Sequence, residues 1–252
     1  MITIKNKQAI KKMEIAGQLL SEIFELLSDV IKPGVSTLEV DSFIEQQHIK
    51  VGLMPRAKGY KGYKHASCIS LNDEVVHGVP SKDKVLKNGD LVKVDICSSW
   101  KGYCADMARC FFVGKTISKK HRVFVDIAAQ ALDAGIEKAR AGNYLSDISA
   151  AIQAVVERHK FGILRDFAGH GIGKNMHEDP DVFNYGKPGQ GPKLRVGMTL
   201  AIEPMITLGG YKVYIARDGW TVKTLDKSLA AHVEDTICVT EGEPRILTRP
   251  II

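Results

Sequence analysis

The chain has 252 residues, 44% of them apolar, enough to bury a full core as one large domain or, on the preferred reading, as two fused halves. Its net charge of +6 comes from basic residues spread along the chain rather than gathered into a tract, which argues against a dedicated nucleic-acid binder. Five cysteines without Cys-x-x-Cys spacing exclude a disulfide framework and a zinc ribbon, and no apolar run reaches the ~20 residues of a membrane span, so a reduced, cytoplasmic protein with no membrane partner is expected.

In chain order, the apolar residues Ile10, Met13, Leu19, Leu20, Ile23, Phe24, Leu27 and Val30 recur at helical spacing, and Pro33-Gly34 ends the run. Gln8 to Ile31 is thus an amphipathic helix. Ser36 and Glu39 form a capping-box pattern that opens a second helix to about Gln47. A basic and aromatic loop follows, with Arg56, Lys58, Lys61, Lys64 and His65 around Tyr60 and Tyr63; a solvated loop is its common meaning, contact with an anionic surface such as the ribosome the rarer one. Strands are expected at Ala66 to Leu71, Leu91 to Ser98 and Tyr103 to Val113. The second half repeats the scheme: helices near His121 to Arg140 and Leu145 to His159, broken at Gly142, then strands at Gly162 to Phe167, Thr199 to Met205, Thr221 to Leu225 and His232 to Thr240. The fold class is α+β, each half reading helix, helix, strands.

An internal repeat reinforces that scheme. Lys87-Asn88-Gly89 precedes an apolar run ending in Asp95, and 108 positions later Arg195-Val196-Gly197 precedes one ending in Glu203. At the looser offset of 100, His77-Gly78-Val79-Pro80 matches His177-Glu178-Asp179-Pro180. The halves divide near residues 1–115 and 116–252 and share one core as a single domain, and a site where they meet draws on both.

Seven acid and imidazole side chains are spaced along this frame: His77, Asp95, Asp106, His170, His177, Glu203 and Glu234. Asp95 closes one strand and Asp106 lies across the turn at Trp100-Lys101-Gly102, which places both carboxylates at one end of a hairpin. Two buried acids there call for a cation, whereas exposed turn acids do not. Gly169-His170-Gly171 sets an imidazole between glycines, whose missing Cβ atoms allow close approach of a second strand. Pro204 lacks an N–H, so its strand ends or lies at an edge where Glu203 emerges. Any one of these residues fits an ordinary core or surface role; together they have the composition of a dinuclear metal site.

The motifs Gly59-Tyr60-Lys61-Gly62-Tyr63, Cys68-Ile69-Ser70-Leu71-Asn72, His77-Gly78-Val79-Pro80, Gly169-His170-Gly171-Ile172-Gly173, His177-Glu178-Asp179-Pro180, Ile202-Glu203-Pro204-Met205 and Asp218-Gly219-Trp220-Thr221 closely resemble type I methionine aminopeptidases, in order and spacing across essentially the whole chain. The resemblance implies the pita-bread fold, with two pseudo-symmetric halves around a curved antiparallel sheet. It implies Asp95, Asp106, His170, Glu203 and Glu234 as ligands of two divalent metal ions, with Asp106 and Glu234 bridging, and His77 and His177 as groups that contact substrate. Glu203 combines the roles of ligand and base. Tyr60, Tyr63, Cys68, Met176 and Trp220 wall the methionine pocket; on spacing alone they read as core residues. The metal is Co, Mn, Fe or Zn.

The implied activity is removal of the initiator methionine from nascent chains when the second residue is small. Ile2 of this chain predicts that it keeps its own Met1. A monomer is expected, with the ribosome surface as a further partner. Departures from the family pattern are Met107 after Asp106, Cys97 for a hydroxyl residue, His232 for Gln and Asp235 for His. His232 shares a strand face with Glu234 and is expected to hydrogen bond beside the site rather than ligate. Two alternatives remain: a proline-specific pita-bread peptidase, which usually carries a large N-terminal domain, and a metal-free pita-bread module binding ribosome or nucleic acid.

Overall fold

The structure, a computed structural model, describes residues 1–115 and 117–250. Position 116, where the second half is expected to begin, and positions 251 and 252 at its end lie outside them.

Each helix begins where a side chain satisfies its first free N–H groups. Asn6 accepts from the Ala9 N–H at 2.9 Å and opens α1 (Lys7–Leu27). Ser36 and Glu39 form the expected reciprocal box at the start of α2 (Thr37–Val51), which runs on past Gln47 until Gly52 takes a left-handed conformation. In the second half Ser118 caps α3 (Lys119–Lys138), and Asp147 accepts from the Tyr144 N–H at the start of α4 (Leu145–Arg158).

The first helix pair is followed by β1 (Met54–Pro55), β2 (Cys68–Leu71), β3 (Glu74–Val76), β4 (Leu91–Trp100) and β5 (Tyr103–Phe112). After the second pair come β6 (Gly162–Ile163), β7 (Gly169–Gly171), β8 (Glu178–Val182), β9 (Thr199–Ile202) and β10 (Met205–Thr207). The last strands are β11 (Val213–Ile215), β12 (Val222–Thr224), β13 (Ala230–His232), β14 (Glu234–Cys238) and β15 (Arg245–Ile246). The large sheet runs β1-β4-β5-β14-β9-β7-β8, with β2 added on β4 and β15 on β14; every pairing in it is antiparallel.

Strand alternation divides the sheet into a core face and a cleft face. Val92, Val94 and Ile96 of β4 join Leu20, Phe24 and Val40 in a cluster beneath α1 and α2, while Leu200 and Ile202 of β9 join Phe124, Ile148 and Ile152 beneath α3 and α4. Two helix pairs therefore cover one continuous sheet, each over the strands of its own half, in keeping with the internal repeat. Residues of odd number on β4, among them Asp95 and Cys97, face the other way.

The hairpin differs from expectation in one respect. Lys101 and Gly102 both have positive φ, 46° and 78°, a two-residue turn that keeps the ladder paired from Trp100–Tyr103 back to Leu91–Phe112. Asp95 therefore lies in the middle of β4 rather than closing it, and the two acids sit mid-hairpin, not at its end. Pro204 does end β9, but β9 is an inner strand rather than an edge: it lies between β14 and β7. Beyond Pro204 the chain enters a small sheet of β13, β10 and β6, and the partner strand makes the same crossing at Val233.

Candidate active site

Five neighbouring strands of the large sheet each bring one of the expected ligands to the cleft. Asp95 pairs with Ala108 and Asp106 with Cys97, so the two carboxylates share a face one step apart on the ladder. Ala108 also pairs with Glu234 on its other side, which sets that acid next in the row. Glu203 follows directly on Ile202, the partner of Asp235, and His170 on β7 pairs with Ala201 of β9.

The side chains converge. His170 Nε2 lies 3.7 Å from Glu203 Oε1 and 3.9 Å from Asp106 Oδ2. Donor atoms of Asp106, His170 and Glu234 all lie within 4.8 Å of one another, as do those of Glu203, His232 and Glu234. Asp95 lines the same cavity as Asp106, His170, Glu203 and Glu234.

Glycines make this approach possible. A Cβ on Gly169 would stand 2.4 Å from the Ala201 carbonyl oxygen and one on Gly171 would stand 2.1 Å from that of Asp179. The His170 Nδ1–H donates to the Gly171 carbonyl at 2.9 Å, which turns Nε2 toward the acids.

Burial pushes every carboxyl of this set upward, with neighbouring acids adding to the effect on three of them. Asp106 rises to about 7 and Glu203 to about 8, while Asp95 and Glu234 lie well above the ordinary range. No Lys or Arg among the described residues pairs with any of the four, and Glu234 Oε1 is buried without a hydrogen-bond partner. Burial also lowers His170 to about 3 and His232 to about 4, which keeps both imidazoles neutral and free to offer a lone pair. Two buried acids, Asp106 and Glu234, and two partly buried ones, Asp95 and Glu203, with an unpartnered oxygen and no opposing side-chain cation, fit divalent metal ions. Oxygen donors with imidazole suit Mn, Fe, Co or Zn without choosing among them.

A cavity of about 250 Å³ opens beside the acids, and the remaining expected site residues line it. Tyr63 meets Trp220 edge-on at 5.0 Å, and its hydroxyl donates to the Ser67 carbonyl at 2.9 Å. Asp41 holds this loop by accepting from the N–H groups of Ala66 and Ser67, and Asp218 fixes Trp220 by accepting its N–H at 2.9 Å. Cys68, Met176 and Tyr60 complete the walls.

His177 stands at the rim, 4.4 Å from the ring of His170 and 5.6 Å from that of Tyr60. His77 is lowered to about 4 by burial and meets Phe167 edge-on at 5.7 Å. Both histidines also border a second cavity of about 390 Å³ that contains Phe167 and Asp181. Sequence reasoning missed Phe167 and the cavity-lining Lys61, although Lys61 lies inside the Gly59–Tyr63 motif. Lys58 of the basic loop pairs with Glu45, so that loop is partly committed within the fold.

Residues 11–241 match metallopeptidase family M24. The chain belongs to this family. Within M24, a methionine aminopeptidase of Clostridium acetobutylicum is 46% identical over 248 residues, covering 98% of this chain and 99% of that protein. The crystal structure of a methionine aminopeptidase from Thermotoga maritima superposes with a TM-score of 0.97 at 42% identity, over 99% of this chain and 100% of that one. The prolidase from Pyrococcus furiosus aligns at a TM-score of 0.79 and 25% identity, and this chain spans 66% of it. The fold is the pita-bread fold of M24, and the family implies divalent metal ions at a site whose donors fit them. No helix among the described residues is long and apolar enough to cross a membrane.

Proposed function

We propose that this M24 protein is a dinuclear metallo-aminopeptidase that removes the initiator methionine of nascent chains when the second residue is small. The observation that carries this reading is an apolar cavity opening directly onto the acid cluster, in a chain aligned along 98% of its length with a methionine aminopeptidase. Similarity to prolidase is lower, at 25% identity, so the proline-specific alternative is set aside. Five clustered donors leave no support for a metal-free binding module.

Asp95, Asp106, His170, Glu203 and Glu234 would hold the ions. Bound divalent ions supply Lewis acidity and bring the pKa of water to near neutral. Glu203 takes the proton of the attacking water and returns it to the leaving amine. His177, at the rim, donates a hydrogen bond to the oxyanion that develops, and neutral His77 orients the scissile amide. Tyr60, Tyr63, Cys68, Met176 and Trp220 hold the methionine side chain. The second residue would sit beside His77 and His177, where a bulky side chain would meet the rim next to the acids.

Peptides Met-Ala-Ser and Met-Leu-Ser, assayed with Co, Mn, Fe and Zn, test the specificity: Met-Ala-Ser is cleaved and Met-Leu-Ser resists, and equal cleavage of both contradicts the reading. We propose further that the whole chain is one catalytic domain and that the protein is a cytoplasmic monomer. Contact with the ribosome surface rests on the +6 charge alone and predicts salt-sensitive cosedimentation.

A further inference from the structure

We propose that His232 is a positioning residue whose Nε2–H holds one oxygen of Glu203, so that the other oxygen alone faces the ions. This rests on the reading of Glu203 as ligand and base. His232 ends β13 and pairs with Met205, two residues beyond Glu203. Its Nε2 lies 3.1 Å from Glu203 Oε2 and 3.9 Å from Glu234 Oε2. Glu203 Oε1 lies instead 3.7 Å from His170 Nε2. The two oxygens of this carboxylate thus serve different imidazoles.

The short spacing of Glu203, His232 and Glu234 also admits His232 as a ligand, and its other ring nitrogen decides between the roles. Nδ1 is buried and has no hydrogen-bond partner. Coordination through Nε2 would place the ring proton on Nδ1 and strand a buried donor, which folded proteins rarely tolerate. A ligating imidazole normally passes that proton to an acceptor, as His170 does to Gly171. With the proton on Nε2, a charge-assisted bond to Glu203 forms and Nδ1 is left only as an idle acceptor. His232 also lines neither of the two cavities that open at the site, so it stands behind Glu203 rather than against substrate.

The test compares wild type with His232→Gln, His232→Leu, Glu203→Gln and the double variant His232→Leu/Glu203→Gln. Apo protein is titrated with Mn²⁺ in a calorimeter, and kcat and KM are measured on Met-Ala-Ser. His232→Leu should still bind two equivalents, one of them about 10–100-fold more weakly, with kcat reduced by a similar factor and KM within about twofold of wild type. His232→Gln, whose amide N–H reaches nearly the same point, should stay within about threefold of wild type on both readouts. In the Glu203→Gln background the Leu substitution should add less than about threefold to the loss of Mn²⁺ affinity, because the two residues act as one unit.

Loss of a whole equivalent in both His232→Gln and His232→Leu would make the imidazole a ligand and overturn the proposal. So would wild-type affinity in His232→Leu, or an undiminished effect in the Glu203→Gln background. His232→Met replaces His232→Leu if the latter does not fold. A wild type that binds Mn²⁺ without cleaving peptide would refute the proposed activity, while the affinity comparison would still decide the role of His232.

Discussion

Asp106 is held from two sides by the backbone as well as by its place in the sheet. Its N–H donates to Thr236 Oγ1 at 2.8 Å, and the same hydroxyl donates back to its carbonyl at 2.9 Å. Asp106→Asn leaves those bonds in place and removes only a charge from the bridging position that the resemblance implies. Groups that merely support a ligand cost about 10–100-fold when replaced, so loss of the bridge should cost more than about 100-fold in activity. Calorimetric titration with Mn²⁺ should show at least one weakened equivalent with the melting curve of the apo protein intact; unchanged activity would remove Asp106 from the site. The acids of this site were legible in the sequence because their neighbours were: an apolar run before Asp95 and Glu203, glycines around His170. Phe167 was not, since a lone aromatic residue after Arg165-Asp166 carries no sign of the histidine it meets. Asp235 shows the converse. It adjoins Glu234, yet alternation turns it away from the cleft to Arg109, Arg249 and Thr248.

At the scale of elements, four helices were readable from periodicity and caps, whereas β7, β11 and β13 have three residues each, too few to show an alternation. Those short strands exist because tertiary pairing overrides weak local preference. Gly171 in β7 is the sharpest case, since its Cβ would meet the Asp179 backbone oxygen at 2.1 Å. Gly171→Ala must move one strand off the other, at about 3 kcal/mol. That corresponds to a melting temperature lower by roughly 6–12 °C for a chain of this size, and calorimetry showing no fall would mean the strands can part freely. Helix α2 offers a pH-dependent case. His48 is buried, its Nδ1–H donating to the Ile44 carbonyl at 2.8 Å and its Nε2 accepting from Ser98 Oγ on β4 at 2.6 Å. Burial lowers its pKa below the ordinary 6.5, and the nearby acids Asp41 and Glu45 only oppose that shift. Because the folded value lies below the unfolded one, the unfolded chain takes up the proton first as pH falls. The contribution is complete above about pH 6.5 and is lost progressively as pH drops toward the folded value. Denaturant unfolding at pH 7 and pH 5 should show a smaller loss for His48→Gln than for wild type, and equal losses would mean that His48 titrates normally.

The whole molecule closes on its site. Asp95 and Asp106 come from strands of the first half, and His170, Glu203 and Glu234 from strands of the second, yet each half buries its own helix pair against its own strands. Ions held at the meeting line would bind the folded chain and find no assembled site in the unfolded one. Mass action then raises stability by about 2.7 kcal/mol when free metal is a hundredfold above its dissociation constant. For a chain of this size that is roughly 5–11 °C in melting temperature. Chelation should therefore lower the transition by that amount, Mn²⁺ should restore it in proportion to the logarithm of its concentration, and Asp106→Asn should blunt the response. A single domain also requires one cooperative transition with metal and without it. Two separate transitions after chelation, one for each helix pair and its strands, would mean that the halves fold alone and that metal is what joins them.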